Sequence, residues 1–408
     1  MLAFLSLAPR RMQAPDPSSR PLRLLFSVQG EGRGHMTQAL AVAEMVRRAG
    51  HEVCGVLVGR SELRPLPAFF VDGMDAPIVS FESPTFVTSK GDAGFHVGAT
   101  VGHIVAGVPQ YASGFRTIHR TIRDFQPDLV VNFYEGLIGL YTAVMRPRVP
   151  VVAVGHQFMF LHPTYHHAAS RPMAAALARF WTWLLSRGAA SRLALSLYEA
   201  DDLPEKGIEV VPPVLRDRVF DLARSASSGD GQPYLLVYLL ESAMAEGLRA
   251  WCDAHPGVRV HCFWDQGEEG DEVQHGQNLT FHGLSGDRFL RMMAGAAGVV
   301  CTSGFESVSE AFVMGKPLLM VPVPNHFEQQ WNAADAAGLG AGLIGDGLDL
   351  SALVDYIDGH RPEHSTFRAW AERAEGMVVE ALERAAGLPA SRSVRNEDPS
   401  PRQASVRA

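Results

Sequence analysis

Lysine is almost absent from this chain of 408 residues, and its arginines are scattered rather than clustered. The electrostatic footprint that grips a phosphate backbone is therefore missing, and with a net charge of −8 no nucleic-acid partner is expected. Cysteine is equally scarce: Cys54, Cys252, Cys262 and Cys301 stand far apart, three of them in apolar strand-like runs. That spacing excludes a disulfide framework and a paired zinc site, and predicts reduced core thiols in a cytoplasmic protein. No apolar run reaches the roughly 18 residues that a membrane span requires. No Asp-x-Asp follows a strand, so no catalytic divalent metal is expected. His162 and His166 have a spacing that suits zinc on a helix, but no third ligand accompanies them.

What is present is a soluble α/β composition, with 47% hydrophobic and 20% charged residues, 39 Gly and 26 Pro. Leu22 to Val28 is an apolar run followed by Gln-Gly-Glu-Gly-Arg-Gly-His, a helical pattern to Ala49 and a strand from Glu52 to Val58, which together predict a βαβ unit. A second start at Tyr234 leads through strand-like Val258–Phe263, Leu279–His282, Gly298–Thr302 and Pro317–Val321, alternating with helices. The alternation predicts two doubly wound, Rossmann-like domains facing across a cleft. Their bounds are read as a flexible leader at 1–20 (with Met12 an alternative start), a first domain at 21–224 and a linker at 225–233. A second domain follows at 234–388, its last helix either staying there or returning to the first domain. The tail, 389–408, is Ser, Arg and Pro rich and expected to be disordered.

Residues 298–333 carry the most chemistry. They read as strand, Ser303-Gly304 turn, helix, Gly-Lys-Pro break, buried strand, and a polar loop through His326, Glu328 and Gln329 to Asn332. A helix that opens directly after a strand presents orphan N–H groups and the positive end of its dipole, which favour a phosphate. Ser303 and Glu306 also fit a capping box, which would give both a structural role. Carboxylate and amide side chains in the following loop suit sugar hydroxyls. His326 either contacts a sugar or phosphate, or caps the next helix.

The first cluster, Gly30, Gly32 and Gly34, is spaced G-x-G-x-G rather than G-x-G-x-x-G, and Arg60 ends the next strand where a ribose-binding acid belongs in a dinucleotide site. An NADP site and a plain glycine turn both remain open. His35, at the start of the helix, is a candidate general base because a helix N-terminus lowers its pKa. Glu31 and Glu135 are the acids available to orient it.

Three segments, Gly30–His35, Thr302–Pro317 and Glu328–Ala333, together resemble GT-B glycosyltransferases of the bacterial family-one-like kind. They resemble more distantly the transferase that adds N-acetylglucosamine to the lipid-linked peptidoglycan precursor. The resemblance implies a second domain that holds a nucleoside-diphosphate sugar, most commonly a UDP-sugar. Its pyrophosphate would lie on Ser303, Gly304 and the first turn, Phe305, Glu306 and Ser307. Glu310 would take the ribose, Glu328 and Gln329 the sugar, and the segment His282-Gly283-Leu284 the base. It implies metal-independent, inverting transfer to a hydroxyl acceptor, lipid or small molecule, with His35 as base and the glycine turn on the acceptor side. The apolar stretch from Phe158 to Leu185 is either an acceptor pocket, a peripheral membrane face on the cytoplasmic side, or a buried amphipathic helix. A sugar-nucleotide epimerase of the same fold and a non-catalytic nucleotide-sugar or NADP-binding protein are the alternatives. Oligomeric state is not legible.

Overall fold

A computed structural model describes residues 20–60, 66–83, 108–165, 172–225, 232–239, 244–266, 270–324, 326–360 and 364–388. The tail, the leader up to residue 19, residues 226–231 of the expected linker and His166 lie outside the described residues.

The first sheet contains β1 (Arg23–Gln29), β2 (Glu52–Arg60), β3 (Ile78–Glu82), β4 (Leu129–Phe133), β5 (Val151–Gly155), β6 (Ser191–Leu195) and β7 (Ile208–Val211). Its order is β3-β2-β1-β4-β5-β6-β7, with every neighbouring pair parallel. The second sheet contains β8 (Tyr234–Leu239), β9 (Arg259–Trp264), β10 (Glu272–His275), β11 (Leu279–Gly283), β12 (Gly298–Cys301), β13 (Leu318–Met320) and β14 (Leu343–Ile344). It runs β10-β11-β9-β8-β12-β13-β14, and only β10 is antiparallel to its neighbour. The central strands are rich in Val, Leu and Phe because helices cover both faces, and β4, β5 and β12 are buried along their whole length.

Helices α1 (Arg33–Arg48), α2 (Ala68–Met74), α3 (Val108–Phe125), α4 (Gly136–Met145), α5 (Pro172–Leu185) and α6 (Asp217–Ser225) accompany the first sheet. Helices α7 (Ala245–Ala254), α8 (Gly286–Gly295), α9 (Phe305–Val313), α10 (Phe327–Gly338), α11 (Ser351–Ile357) and α12 (His364–Ala371) accompany the second. The last helix, α13 (Ala374–Ala385), packs on α1, β5 and β7, so it lies on the first sheet. Arg48 holds it through a two-pronged bond to Glu375, both arms 3.0 Å. Just before it, the Trp370 indole N–H donates to the Ser196 carbonyl at 2.9 Å. The His51 Nδ1 accepts from the Leu22 N–H at 3.3 Å, so its proton sits on Nε2, which faces Glu383 at 3.2 Å.

In each sheet the winding reverses beside the first strand, at β1/β4 and at β8/β12, and the carboxyl ends of those strands open toward one another. Such reversal points are where doubly wound sheets bind ligands. Apolar contact continues across the gap: Phe160 meets Trp331 edge-on at 5.0 Å, and buried residues of both sheets join one core. The four cysteines are free and buried.

The approach of α4 to the end of α5 depends on a glycine. A Cβ on Gly139 of α4 would stand 1.7 Å from the Leu185 carbonyl oxygen at the end of α5, a backbone atom that cannot rotate away. Gly139→Ala is expected to destabilise the protein by about 1–3 kcal/mol through overpacking. Gly247→Ala in α7, where no atom lies within 4 Å, should instead stabilise it by about 0.5–1 kcal/mol. Urea unfolding of both variants checks the pair, and equal midpoints would contradict the packing described.

Candidate functional site

The floor of the cleft on the first-domain side is the turn from Gln29 into α1. Gly30 donates its N–H to the Gly59 carbonyl at 2.7 Å, and a Cβ there would strike that same oxygen, so the first glycine serves the turn. Gly32 is the N-cap of α1, without a side-chain cap. Gly34 brings the backbone near Glu306, whose Cγ would lie 3.6 Å from an added Cβ.

His35 follows on the first turn of α1. Its Nδ1 lies 3.2 Å from the Gln38 Oε1, while the Gln38 Nε2 donates to the Glu306 Oε1 at 2.7 Å. The amide has only one acceptor, so His35 donates from Nδ1 and keeps an Nε2 lone pair. Burial lowers the His35 pKa to about 4, even though the nearby charge of Glu328 opposes that shift. Tyr134, in the left-handed conformation with φ 52°, stacks on the His35 ring at 5.8 Å.

Glu135 does not orient His35. It is the N-cap of α4, accepting from the Leu137 N–H at 3.0 Å, the Ile138 N–H at 2.6 Å and the Ser83 hydroxyl. A carboxylate ending a strand one residue before a helix satisfies that helix's orphan donors, and both its oxygens are thereby engaged. The side chain that meets the His35 Nδ1 is Gln38.

Opposite, Thr302 follows β12 and begins the turn into α9. Ser303 is fully buried with φ 61°, and neither its Oγ nor the Thr302 Oγ1 has a hydrogen-bond partner among the described residues. The expected capping box is absent. The N-cap is Gly304, one residue later than that motif needs, and the Glu306 carboxyl turns to Gln38 instead. Asn332 steadies the strained turn by donating from Nδ2 to the Ser303 carbonyl at 3.2 Å, and Tyr165 donates to the Asn332 Oδ1 at 3.2 Å. The Ser307 hydroxyl donates to the Gly304 carbonyl at 3.1 Å, closing the first turn. Phe305 lies flat against His156 of the first domain, with ring centroids 4.7 Å apart. One turn on, buried Glu310 accepts from the Arg216 Nη2 at 3.2 Å.

The polar loop closes the other side. His326 is the N-cap of α10, its Nδ1 accepting from the Gln329 N–H at 3.4 Å. Of its two sequence readings, helix capping is therefore the one observed. The Gln329 Oε1 accepts from the Val323 N–H at 2.8 Å. The Glu328 Oε1 reaches into the cleft, 3.2 Å from the His156 Nε2 and 3.3 Å from the Gln157 Nε2. Burial alone would raise the Glu328 pKa, but His156, with His326 and His35, pulls it well below the usual carboxylate range. Leu284, after β11, is half-buried against the core. Buried His282 beside it meets the His261 Nδ1 at 2.9 Å.

The structure thus gathers His35, Ser303, Gly304, Glu306 and Glu328 around one gap and leaves Glu135 outside it. Gln38, Tyr134, His156 and Arg216 belong to the gap and were not singled out as site residues. Gln38 stands three residues beyond His35 and so shares its helix face, a signal the sequence did carry. Tyr134 and Arg216 carry no local signal. Among the described residues no group of three or more His, Cys, Asp or Glu is arranged to hold a metal ion.

A family model described as glycosyl transferase family 1 matches residues 22–359. A Methanosarcina mazei protein described as an uncharacterized glycosyltransferase is 25% identical, the match covering 78% of this chain and 85% of that protein. The UDP-N-acetylglucosamine–N-acetylmuramyl-(pentapeptide) pyrophosphoryl-undecaprenol N-acetylglucosamine transferase of Porphyromonas gingivalis is also 25% identical, over 83% of this chain and 87% of its own. Among solved structures, the kitacinnamycin glycotransferase superposes with a TM-score of 0.60 at 18% identity, covering 91% of this chain and 100% of its own. MurG of Acinetobacter baumannii gives 0.53 at 17%, covering 89% and 100%. The likeness to these two structures shows the fold.

The left-handed Ser303 tests the strain at this turn. An L-residue there costs about 1–2 kcal/mol that glycine avoids, against a smaller entropic loss. Ser303→Gly is therefore expected to be about 0.5–1 kcal/mol more stable in urea unfolding, and a destabilised variant would contradict the strain.

Proposed function

The chain belongs to glycosyl transferase family 1, and on that premise we propose that it is an inverting, metal-independent transferase. It moves a sugar from a nucleoside-diphosphate sugar, with UDP as the nucleotide, to a hydroxyl acceptor. The carrying observation is the buried, unpartnered Ser303 hydroxyl at the start of α9, set across the gap from a neutral His35. The N–H groups and dipole of α9 receive the diphosphate, whose departure they ease by stabilising the charge that develops on it. The His35 Nε2 takes the proton of the acceptor hydroxyl as its oxygen attacks the anomeric carbon. The bond from that carbon to the diphosphate oxygen breaks, and the diphosphate leaves with the electron pair. Glu328 and Gln329 meet the sugar hydroxyls, Glu310 the ribose, and Leu284 the base. No cofactor takes part.

UDP and a lipid-linked acceptor are supported by the Porphyromonas gingivalis relative, whose name carries UDP-N-acetylglucosamine and an undecaprenol acceptor. The outer side of α5 supports a peripheral contact at the inner face of a membrane. Phe180 and Trp183 are 50% and 42% exposed there, and Arg187 lies 5.0 Å over the Trp183 ring. No helix among the described residues is long and apolar enough to cross a bilayer.

Thermal shifts with UDP, TDP, GDP and NADPH test the donor site, since a ligand at about 100 times its Kd adds roughly 2.7 kcal/mol to the folded state. UDP should stabilise most, and a response to NADPH alone would overturn the reading. His35→Ala is expected to lose about 10²-fold or more in transfer while keeping its UDP shift. With a folded pKa near 4, the base stays neutral in mild acid, so kcat/KM should fall near pH 4 rather than near an imidazole's usual 6.5. Unchanged turnover in His35→Ala would remove it from the mechanism. Sugar-nucleotide interconversion without acceptor would mark an epimerase instead.

For the membrane contact, the protein should co-sediment with anionic phosphatidylglycerol vesicles and be released by Phe180→Ser with Trp183→Ser. Full recovery of wild type in the supernatant would argue for a water-soluble acceptor.

A further inference from the structure

Glu306 is an anomaly in a site built for a diphosphate. It stands on the first turn of α9, among the N–H groups that would receive phosphate oxygens, where a carboxylate would repel the ligand. Only 9% of its surface is exposed, and while its Oε1 accepts from Gln38, its Oε2 is buried without a hydrogen-bond partner among the described residues. A buried charge left half-satisfied is costly, whereas a neutral carboxyl in the same place carries a donor for whatever enters the gap.

Resting on the donor reading above, we propose that Glu306 acts as a protonated carboxyl whose Oε2–H donates a hydrogen bond to a phosphate oxygen of the donor, while Gln38 holds its Oε1. The group thereby turns from a repulsive neighbour into a ligand of the diphosphate, and it makes donor binding proton-linked. Its surroundings support the neutral form. Burial pushes the Glu306 carboxyl up to about 8, opposed by the Gln38 donor, with Glu310 on its own helix raising it and Arg216 lowering it. The other charged or titratable groups facing the gap among the described residues include His35 on α1, Tyr134 after β4, whose phenol pKa burial raises above its usual range, His156 after β5, and His326 and Glu328 at α10. His35 and Glu328 change charge well below pH 7, outside the range tested.

The sign follows directly. Only the protonated form binds well, so the apparent Kd scales inversely with its fraction and rises as pH climbs through 8. Calorimetric titration of the intact wild-type protein with UDP, TDP and GDP between pH 7 and 9.5 reads this, since with a second pKa of about 6 their phosphates are about nine-tenths or more ionised throughout. Binding of the best nucleotide should be about tenfold weaker at pH 9 than at pH 7, with a proton taken up from buffer. Glu306→Gln donates from its amide at every pH and should give a flat profile, which also separates Glu306 from Glu310 as the titrating group. Gln38→Met, which removes the donor that favours ionisation, should move the wild-type fall to higher pH. A flat wild-type profile, or the same fall in Glu306→Gln, overturns the proposal while leaving the donor site standing. Absence of binding by all three nucleotides at any pH overturns the donor site and this proposal together.

Discussion

Polar groups buried where two sheets meet are tolerable only when each half supplies the partners of the other. Gln38 of the first domain donates to Glu306 of the second, Arg216 meets Glu310, His156 and Gln157 meet Glu328, and Tyr165 donates to Asn332. Remove one partner and the group across the gap is left dry and unpaired, which costs more than the bond itself contributes. The pairing also fixes where the two strand-end turns stand relative to each other. A base on α1 and an anion site on α9 are useful only at one separation, and the cross-gap bonds hold that separation.

Strain is concentrated at the same place. Among the described residues, Tyr134 and Ser303 are non-glycine residues in the left-handed region beside the gap, each at a cost of about 1–3 kcal/mol. Both follow a strand that is buried along its whole length, and a neighbour holds each: Thr182 lies 2.9 Å from the Tyr134 hydroxyl, and Asn332 binds the Ser303 carbonyl. The rigid sheets thus enforce two turn conformations that the local chain would not choose. The result is a helix start that opens from the Ser303 turn on one side and a stacked imidazole on the other.

The fold was legible because its signals are local and repeated. Apolar strand runs, helical periodicity and glycine breaks recur along the chain, and parallel pairing follows from their alternation. The helix opening at Ser303-Gly304 and the polar loop at Glu328 were legible for the same reason. Glu135 misled because a strand-end carboxylate looks alike whether it faces a ligand or its own helix. The capping box at Ser303 and Glu306 misled because a one-residue shift in the cap sends the glutamate elsewhere. Gln38 lay on the right helix face, but its partner is 268 residues away, beyond any local pattern. Arg216 acquires its role only where the two domains meet, and Tyr134 only when β4 is laid beside β1 and so brings it to His35.

The return of α13 to the first sheet means that the polypeptide passes between the halves twice, once from α6 to β8 and once from α12 to α13. Trp370 and Arg48 clamp the second passage, and Phe312 stacked on Phe367 at 4.4 Å ties α12 to α9 on the other side of it. A chain cut between α6 and β8 would therefore still leave the halves held together, because α13 stays covalently joined to the second half while packed on the first.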